Sequence, residues 1–355
     1  MKTGKPSNAN PPAGSVPSGS RGAKPRNGPA ERLEKINRNF TEGGIFMDWN
    51  KAKEQTFGVE IEMTGLTRKG AAMIAARFFG TDDYRYIGTG YSTWAAIDEQ
   101  GREWKFMSDS SIRQENGEAV ELVTPILTYD NDIEILQKLI RELRAGGAVA
   151  NAGHDCGLHI HIGLGDHTGK SLTNLARLMA SHEDLLVKAI GIADERLYGN
   201  RYHKAWCAKV DRGFLERLAN KRPDSVRGVQ ECWYNGPLRT HAHYDDSRYR
   251  MLNYHSIGRT GTIEFRMYQF DDPSDGKKNG LHAGALRAYV QLSLVLSQQA
   301  KESRSVTIKP VQLENEKFAM RTWMNRMGMI GPDFKTAHDI LGRKLTGNSA
   351  FRYGN

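Results

Sequence analysis

Three short stretches of this chain alternate apolar with charged residues at a period of two. That period confines each to a β-strand with one buried face and one chemically equipped face. In residues 56–63 (TFGVEIEM), Phe57, Val59, Ile61 and Met63 alternate with Gly58, Glu60 and Glu62. In residues 157–163 (GLHIHIG), Leu158, Ile160 and Ile162 alternate with His159 and His161. In residues 261–268 (GTIEFRMY), Ile263, Phe265 and Met267 alternate with Thr262, Glu264, Arg266 and Tyr268. The aliphatic sets belong to a core, and the Glu, His and Arg sets gather on the opposite face as a cation site would.

Glu60 and Glu62 share a face about 7 Å apart, although glutamate is depleted from strands. Solvation is the plain explanation for one such pair. The same face also collects Glu264 and, from residues 117–125 (GEAVELVTP), Glu121. Several carboxylates cluster stably when divalent cations lie between them. Glu118 shares the face of Glu121 only if the strand begins after it, so Glu121 is the stronger candidate. His159 and His161 by themselves fit zinc, but the hard oxygens around them suit magnesium or manganese bound with phosphate. Glu264 and Arg266 alone would make an ordinary ion pair, yet arginine is also the fork-shaped donor for phosphate oxygens. Combined, the strands describe a two-metal phosphate site in which carboxylates hold the ions and Arg266 neutralises charge developed during transfer. The sequence has neither a Walker loop nor GxGxxG, so a nucleotide would be gripped through metal and not by a glycine nest.

At 355 residues and 39% hydrophobic content, the chain can hold one large domain or two ordinary ones. Its first 38 residues carry eight Lys or Arg against Glu31 and Glu34, which is +6 of the formal +9, among many Pro, Gly, Ser and Asn residues. We expect residues 1–45 to be a flexible basic arm, 46–345 a single catalytic domain, and 346–355 a C-terminal tail. The rest of the chain is only +3, weak grounds for nucleic-acid binding. No apolar run follows Met1 or reaches the length of a membrane span. Cys156, Cys207 and Cys232 lack CxxC spacing, and a reducing, cytoplasmic setting fits them best.

Periodicity predicts helices over 67–79, 129–143, 171–192 and 281–300, a hairpin over 94–98 and 102–107, and a strand over 119–124 stopped by Pro125. An antiparallel pair over 250–256 and 262–270 turns around Gly258 to Gly261, and two last helices run over 315–327 and 333–345. Residues 200–247, rich in Arg, Asn, Trp and Tyr, read as an irregular recognition insert. The expected class is α+β, a mostly antiparallel sheet with helices packed on one face and the site on the other.

The order of these motifs resembles the amidoligase family, a branch of the glutamine synthetase and glutamate-cysteine ligase superfamily of carboxylate-amine ligases. The residues that carry the resemblance are Phe57-Gly-Val-Glu60-Ile-Glu62, Asp109-Ser-Ser-Ile112, Gly117 to Pro125, Cys156-Gly-Leu-His159-Ile-His161-Ile-Gly163, Arg248-Tyr249 to Asn253, and Thr262-Ile-Glu264-Phe-Arg266. It spans roughly residues 56–272, and this chain has Asp109-Ser110-Ser111 where members usually carry Asp-Gly-Ser. The resemblance implies a sheet like that of the glutamine synthetase catalytic domain and an ATP-dependent ligase holding two or three Mg2+ ions, with Mn2+ as a substitute. It implies that Glu60, Glu62, Glu121, His159 and Glu264 bind metal and that His161 and Arg266 bind the nucleotide phosphates. Arg266 and Glu62 would serve catalysis. Asp109, Tyr249 and Asn253 are candidate substrate contacts, with packing as the equal alternative for Tyr249 and Asn253, whose place in the strand alternation is ambiguous. The substrates would be a small-molecule or peptide carboxylate and an amine, joined through an acyl phosphate.

Two enzyme alternatives and one non-enzyme alternative accompany this reading. A metal-dependent hydrolase would use His159 and His161 with further ligands such as His241, His243 or His255. A guanidino kinase would phosphorylate nitrogen and form no amide. A non-catalytic protein would bind nucleic acid through the basic arm, with steep salt dependence.

Overall fold

The alternating stretches form the centre of a nine-stranded sheet in the computed structural model, which describes residues 47–201, 204–271 and 280–350. The expected basic arm and the last five residues of the expected tail lie outside the described residues. The strands are β1 (Thr56–Met63), β2 (Tyr84–Gly88), β3 (Thr93–Ile97), β4 (Glu103–Met107), β5 (Val120–Val123), β6 (Leu127–Thr128), β7 (Leu158–Gly163), β8 (Leu252–Asn253) and β9 (Thr262–Tyr268). Their spatial order is β2-β3-β4-β5-β1-β7-β9-β8, with β6 paired to the start of β1, and every pairing among them is antiparallel. The class is α+β, as the pattern of residues predicts.

One face of the central strands is core. Phe57, Val59, Ile61 and Met63 of β1 and Leu158, Ile160 and Ile162 of β7 are all buried, and each such side chain contributes about 1.5–3 kcal/mol by leaving water. Helices Arg68–Phe79, Tyr129–Ala145, Gly169–Ile190 and Ala283–Glu302 supply the other half of that core. Local chemistry sets their ends. Thr67 accepts the Gly70 N–H at the start of the first, which stops at Gly80 in a left-handed conformation, φ 74°. Thr168 and Ser171 form a reciprocal cap on the third. Helix Ala283–Glu302 is buried nearly all round, so its few polar groups need partners. Ser293 meets the Tyr268 hydroxyl at 2.8 Å, Ser297 donates to Gln55 at 2.6 Å, and Gln291 donates to Tyr129 at 2.7 Å.

Three segments depart from the periodicity. The expected hairpin over 250–256 and 262–270 shrinks to a two-residue β8, because Asn253 accepts the His255 N–H at 2.8 Å and Ser256 donates to both Asn253 O and Thr262 O. These bonds start helix His255–Thr260 where a plain turn was expected. In β9 the register skips between Phe265↔Ile160 and Tyr268↔Leu158, so two residues face His159. This bulge sends Tyr268 to the helix side, where its ring stacks on Tyr289, and not to the charged face that strict alternation assigns. The segment expected to be irregular contains helices Arg212–Lys221 and Val226–Tyr234, capped by Asp211 and Ser225 and anchored by buried Phe214, Leu218 and Trp233.

The β3–β4 hairpin hangs on one carboxylate. Asp98 accepts the backbone N–H groups of Gln100 and Arg102 at 3.0 and 2.9 Å, the Arg102 Nε–H at 2.8 Å and the buried Trp104 Nε1–H at 2.9 Å. Burial works to raise its pKa, but the bonds from Trp104 and Arg102 outweigh burial and hold it below the usual Asp value. A carboxyl held below its unfolded pKa stabilises the fold at pH above about 4, and that contribution is lost as pH falls through the folded value. Asp98→Ala, which leaves the Trp104 donor buried and unpaired, should therefore cost about 3 kcal/mol at neutral pH and progressively less below pH of about 4. Urea unfolding of both proteins at neutral and acid pH measures this, and an unchanged midpoint at neutral pH contradicts it.

Candidate active site

The antiparallel register aligns the charged residues of four adjacent strands, β5-β1-β7-β9, in rows across the sheet. Glu121 lies opposite Glu62, Glu60 opposite His159, and His161 opposite Glu264, which in turn faces Asn253 of β8. These rows form the floor of a cavity of about 660 Å³ on the face away from the helices. All ten residues singled out from the sequence line it: Glu60, Glu62, Asp109, Glu121, His159, His161, Tyr249, Asn253, Glu264 and Arg266. Glu118 does not. It accepts the Arg68 N–H at 2.8 Å outside the cavity, so of the two acids of that stretch Glu121 is the one that lines it.

The floor is crowded with charge. Glu60 lies 3.1 Å from His159 Nδ1 and 3.2 Å from His161 Nε2, while Glu264 lies 2.5 Å from Arg266 Nη1. His159 faces two ways: Nδ1 is 3.7 Å from Glu264, and Nε2 is 3.7 Å from Glu62. Two sets of donor atoms, Glu60 with His159 and Glu264, and Glu62 with Glu121 and His159, each lie within 4.8 Å of one another. Four carboxylates and one imidazole make an oxygen-rich donor set suited to hard divalent cations. On this floor the buried Arg266 Nε has no hydrogen-bond partner, and His161 Nε2 has only the carboxylates of Glu60 and Glu264 near it, at 3.2 and 3.9 Å. An orphaned donor is costly unless a ligand completes it, so the residues fit a bound cation with an anion beside it.

Electrostatics follow from this packing. Burial raises the Glu60 carboxyl, but the adjacent His161 and His159 more than offset that and hold it well below the usual range. Burial likewise opposes ionisation of Glu264, which Arg266 and His161 bring down to about 2. Glu121 has no such cation. Burial, then Glu60, Glu62 and Asp109, push its carboxyl well above the usual range. A divalent ion between Glu62 and Glu121 would relieve that repulsion.

Supporting residues fix these groups. The Gly157 N–H donates to Glu62 Oε2 at 2.5 Å, Asn253 Nδ2 donates to Glu264 Oε2 at 2.6 Å, and Thr262 Oγ1 lies 2.8 Å from His161 Nδ1. Both ends of the Asn253 amide are thus engaged, since its oxygen accepts from His255 N. Asn253 therefore orients Glu264 while lining the same cavity. Tyr249 packs with Trp206, and its ring lies 5.9 Å from the Arg266 guanidinium and 5.7 Å from that of Arg248. Asp109 accepts the Ser111 N–H at 2.7 Å in the loop after β4.

Arg196, Tyr91, Tyr244 and Arg259 line the cavity without a signal in the sequence. Buried Arg196 comes from the short helix Asp194–Tyr198 and donates to the carbonyls of Tyr268 and Arg266, holding the end of β9. At the mouth, Tyr91 lies 2.9 Å from His243 and 3.2 Å from Tyr244, while Arg259 lies 3.0 Å from the other nitrogen of His243. His255 is likewise held at both nitrogens, by Tyr234 and Ala242 O. Neither His243 nor His255 joins a donor set, which removes two of the extra ligands a hydrolase was expected to need.

With this geometry in view, comparison with known proteins gives a direct result. The family model described as "Putative amidoligase enzyme" matches residues 53–294, and the chain belongs to that family of ligase enzymes. Among solved structures it is similar to a bifunctional glutathione synthetase from Pasteurella multocida, at 12% sequence identity and a TM-score of 0.39. That match covers 87% of this chain and 48% of the other, so the chain spans about half the length of that structure. No curated protein matches it in sequence. Among the described residues no helix is long and apolar enough to cross a membrane, and the three cysteines are buried and unpaired.

Gly157 gives a local test. A Cβ there would stand 2.6 Å from Arg196 Nη2 and 3.1 Å from both Glu62 Oε2 and His159 Nε2. Gly157→Ala should displace Glu62 and His159 and weaken Mn2+ binding about tenfold or more, read by titration calorimetry. Unchanged affinity would contradict the assignment of these side chains to one cation site.

Proposed function

We propose that this protein is an ATP-dependent carboxylate-amine ligase that forms an amide through an acyl phosphate. The observation that carries the proposal is the convergence of four glutamates, two histidines and Arg266 on one cavity floor in a chain of the amidoligase family. In this reading Glu60, His159 and Glu264 hold one Mg2+, and Glu62 and Glu121, with His159, hold another. The ions supply positive charge that screens the phosphates of ATP from the acidic floor.

The chain's own residues then have distinct tasks. Arg266, with its buried and unpartnered Nε, faces the phosphates and stabilises the group in flight. His161, held at Nδ1 by Thr262 and with Nε2 3.2 Å from Glu60, would turn Nε2 to a phosphate oxygen. Glu62 is fixed through one oxygen by Gly157, which leaves the other for the acid's end of the site. Asp109 and Tyr249 line the space for the carboxylate and amine. Asn253 keeps Glu264 in place.

Chemistry explains the need for ATP. A carboxylate resists attack by an amine because oxide is a poor leaving group. An oxygen of the carboxylate attacks the γ-phosphorus, the bond to the bridging oxygen breaks and ADP departs. The amine nitrogen then attacks the acyl carbon, the bond to the phosphate oxygen breaks, and phosphate leaves as the nitrogen sheds a proton. The cavity would align these atoms and exclude water from the acyl phosphate.

An ADP-release assay with Mg2+, ATP and pooled amino acids, polyamines and peptides tests this reading. Wild type should release ADP and phosphate only in the presence of a carboxylate and an amine. Glu62→Gln should lower that rate about 100-fold or more, at least as much as loss of a supporting contact at a metal site. Equal behaviour of wild type and Glu62→Gln in every pool would overturn it.

A further inference from the structure

The ligase reading leaves the amine's proton without an acceptor, and the cavity contains one carboxylate that the other tasks do not use. We infer that Asp155 is the residue that receives the acceptor amine and takes its proton as the amide forms, an inference that rests on the reading above. Asp155 lines the same cavity. Among the described residues its carboxylate makes neither a hydrogen bond nor an ion pair, unlike Glu60, Glu62, Asp109 and Glu264, which are all engaged. Glu121 alone shares that freedom, and it belongs to the second donor set.

Position selects the same residue. The two donor sets share His159 and differ in the acids on either side of it. Arg266 pairs with Glu264 in the first set, which makes that side the place for phosphate. The second set contains Glu62, which is held by the N–H of Gly157, two residues after Asp155. The carboxyl of the acid therefore sits towards Glu62 and Glu121, and Asp155 lines the cavity on the loop that carries Gly157. Its backbone is fixed as well. The turn Ala152–His154 ends with Asp155 donating to Ala152 O at 3.0 Å and Cys156 donating to Asn151 O at 3.1 Å, and Asp155 itself is left-handed, φ 58° and ψ 20°. Asp and Asn are the side chains that tolerate this conformation best.

The step balances without any further reagent. An acceptor that arrives as its ammonium gives its first proton to the Asp155 carboxylate, which passes it to solvent. The neutral amine then attacks the acyl carbon, C–N forms, C–O to the phosphate breaks with its electron pair leaving on phosphate, and the second N–H proton passes to the Asp155 carboxylate. Solvent then removes that proton. The ligand class follows: a primary or secondary amine small enough to reach the loop, attracted as its ammonium form by an acid without a cation partner.

Asp155→Asn keeps the shape and the left-handed preference, so it tests chemistry and not folding. Wild type, Asp155→Asn and Asp109→Asn are compared with Mg2+, ATP, and pooled amino acids and N-acetyl amino acids as acids. Methylamine and hydroxylamine serve as acceptors. Hydroxylamine is neutral at pH 7 and loses its proton easily, so its product needs little help from a base. Asp155→Asn should lose about 100-fold in methylamide formation, the scale of a missing general base. Hydroxamate formation and the first-turnover ADP burst should stay within about threefold of wild type. Equal losses with both acceptors, no loss with methylamine, or the split appearing in Asp109→Asn in place of Asp155→Asn would overturn the role of Asp155. Absence of an ADP burst in wild type with every acid would instead overturn the ligase reading, and this role with it.

Discussion

Like charges forced together on one face of a sheet are the constraint on which this structure turns. Glu60, Glu62, Glu121 and Glu264 occupy neighbouring positions of β5, β1 and β9 around the histidines of β7. Nothing in their own chemistry would assemble them. The opposite face does, because Phe57, Val59, Ile61, Leu158 and Ile160 are buried against the helices. A slip of one residue would turn that apolar set to solvent and the acids into the core. The register that the core enforces is thus the register that builds the acidic floor, and the geometry of the site is fixed by packing that never touches it.

That floor needs positive charge, and the protein supplies only part of it. Arg266 pairs with Glu264 and the two imidazoles lie beside Glu60, while Glu62 and Glu121 face one another across the β1–β5 pair with His159 as their common neighbour. The Gly157 N–H, Asn253 and Thr262 orient the acids and His161 without adding charge. Such an arrangement suits the divalent ions and phosphate proposed for it.

Much of this was legible from residue order. The period of two placed Glu60, Glu62, His159, His161 and Glu264 on one face because β1, β7 and the first part of β9 are regular. It misassigned Tyr268 because a bulge inserts a residue opposite His159, and the side chains of β9 carry no mark of it. It expected a hairpin where Asn253 and Ser256 start a helix, since their side-chain bonds compete with the strand. Helices Arg212–Lys221 and Val226–Tyr234 escaped because their apolar stripes are short and sit among many charged residues. Arg196 and Asp155 had no motif at all. Their relevance comes from where tertiary packing delivers them, which periodicity does not encode.

The central claim is that side chains from separate strands form one place for divalent cations beside Arg266. The most direct measurement is anomalous diffraction from crystals grown with Mn2+ and a non-hydrolysable ATP analogue. Manganese peaks coordinated by Glu60, His159 and Glu264 and by Glu62 and Glu121 are expected, with the phosphate tail of the analogue reaching Arg266. Manganese bound elsewhere, or a cavity that takes the nucleotide without metal, would contradict it.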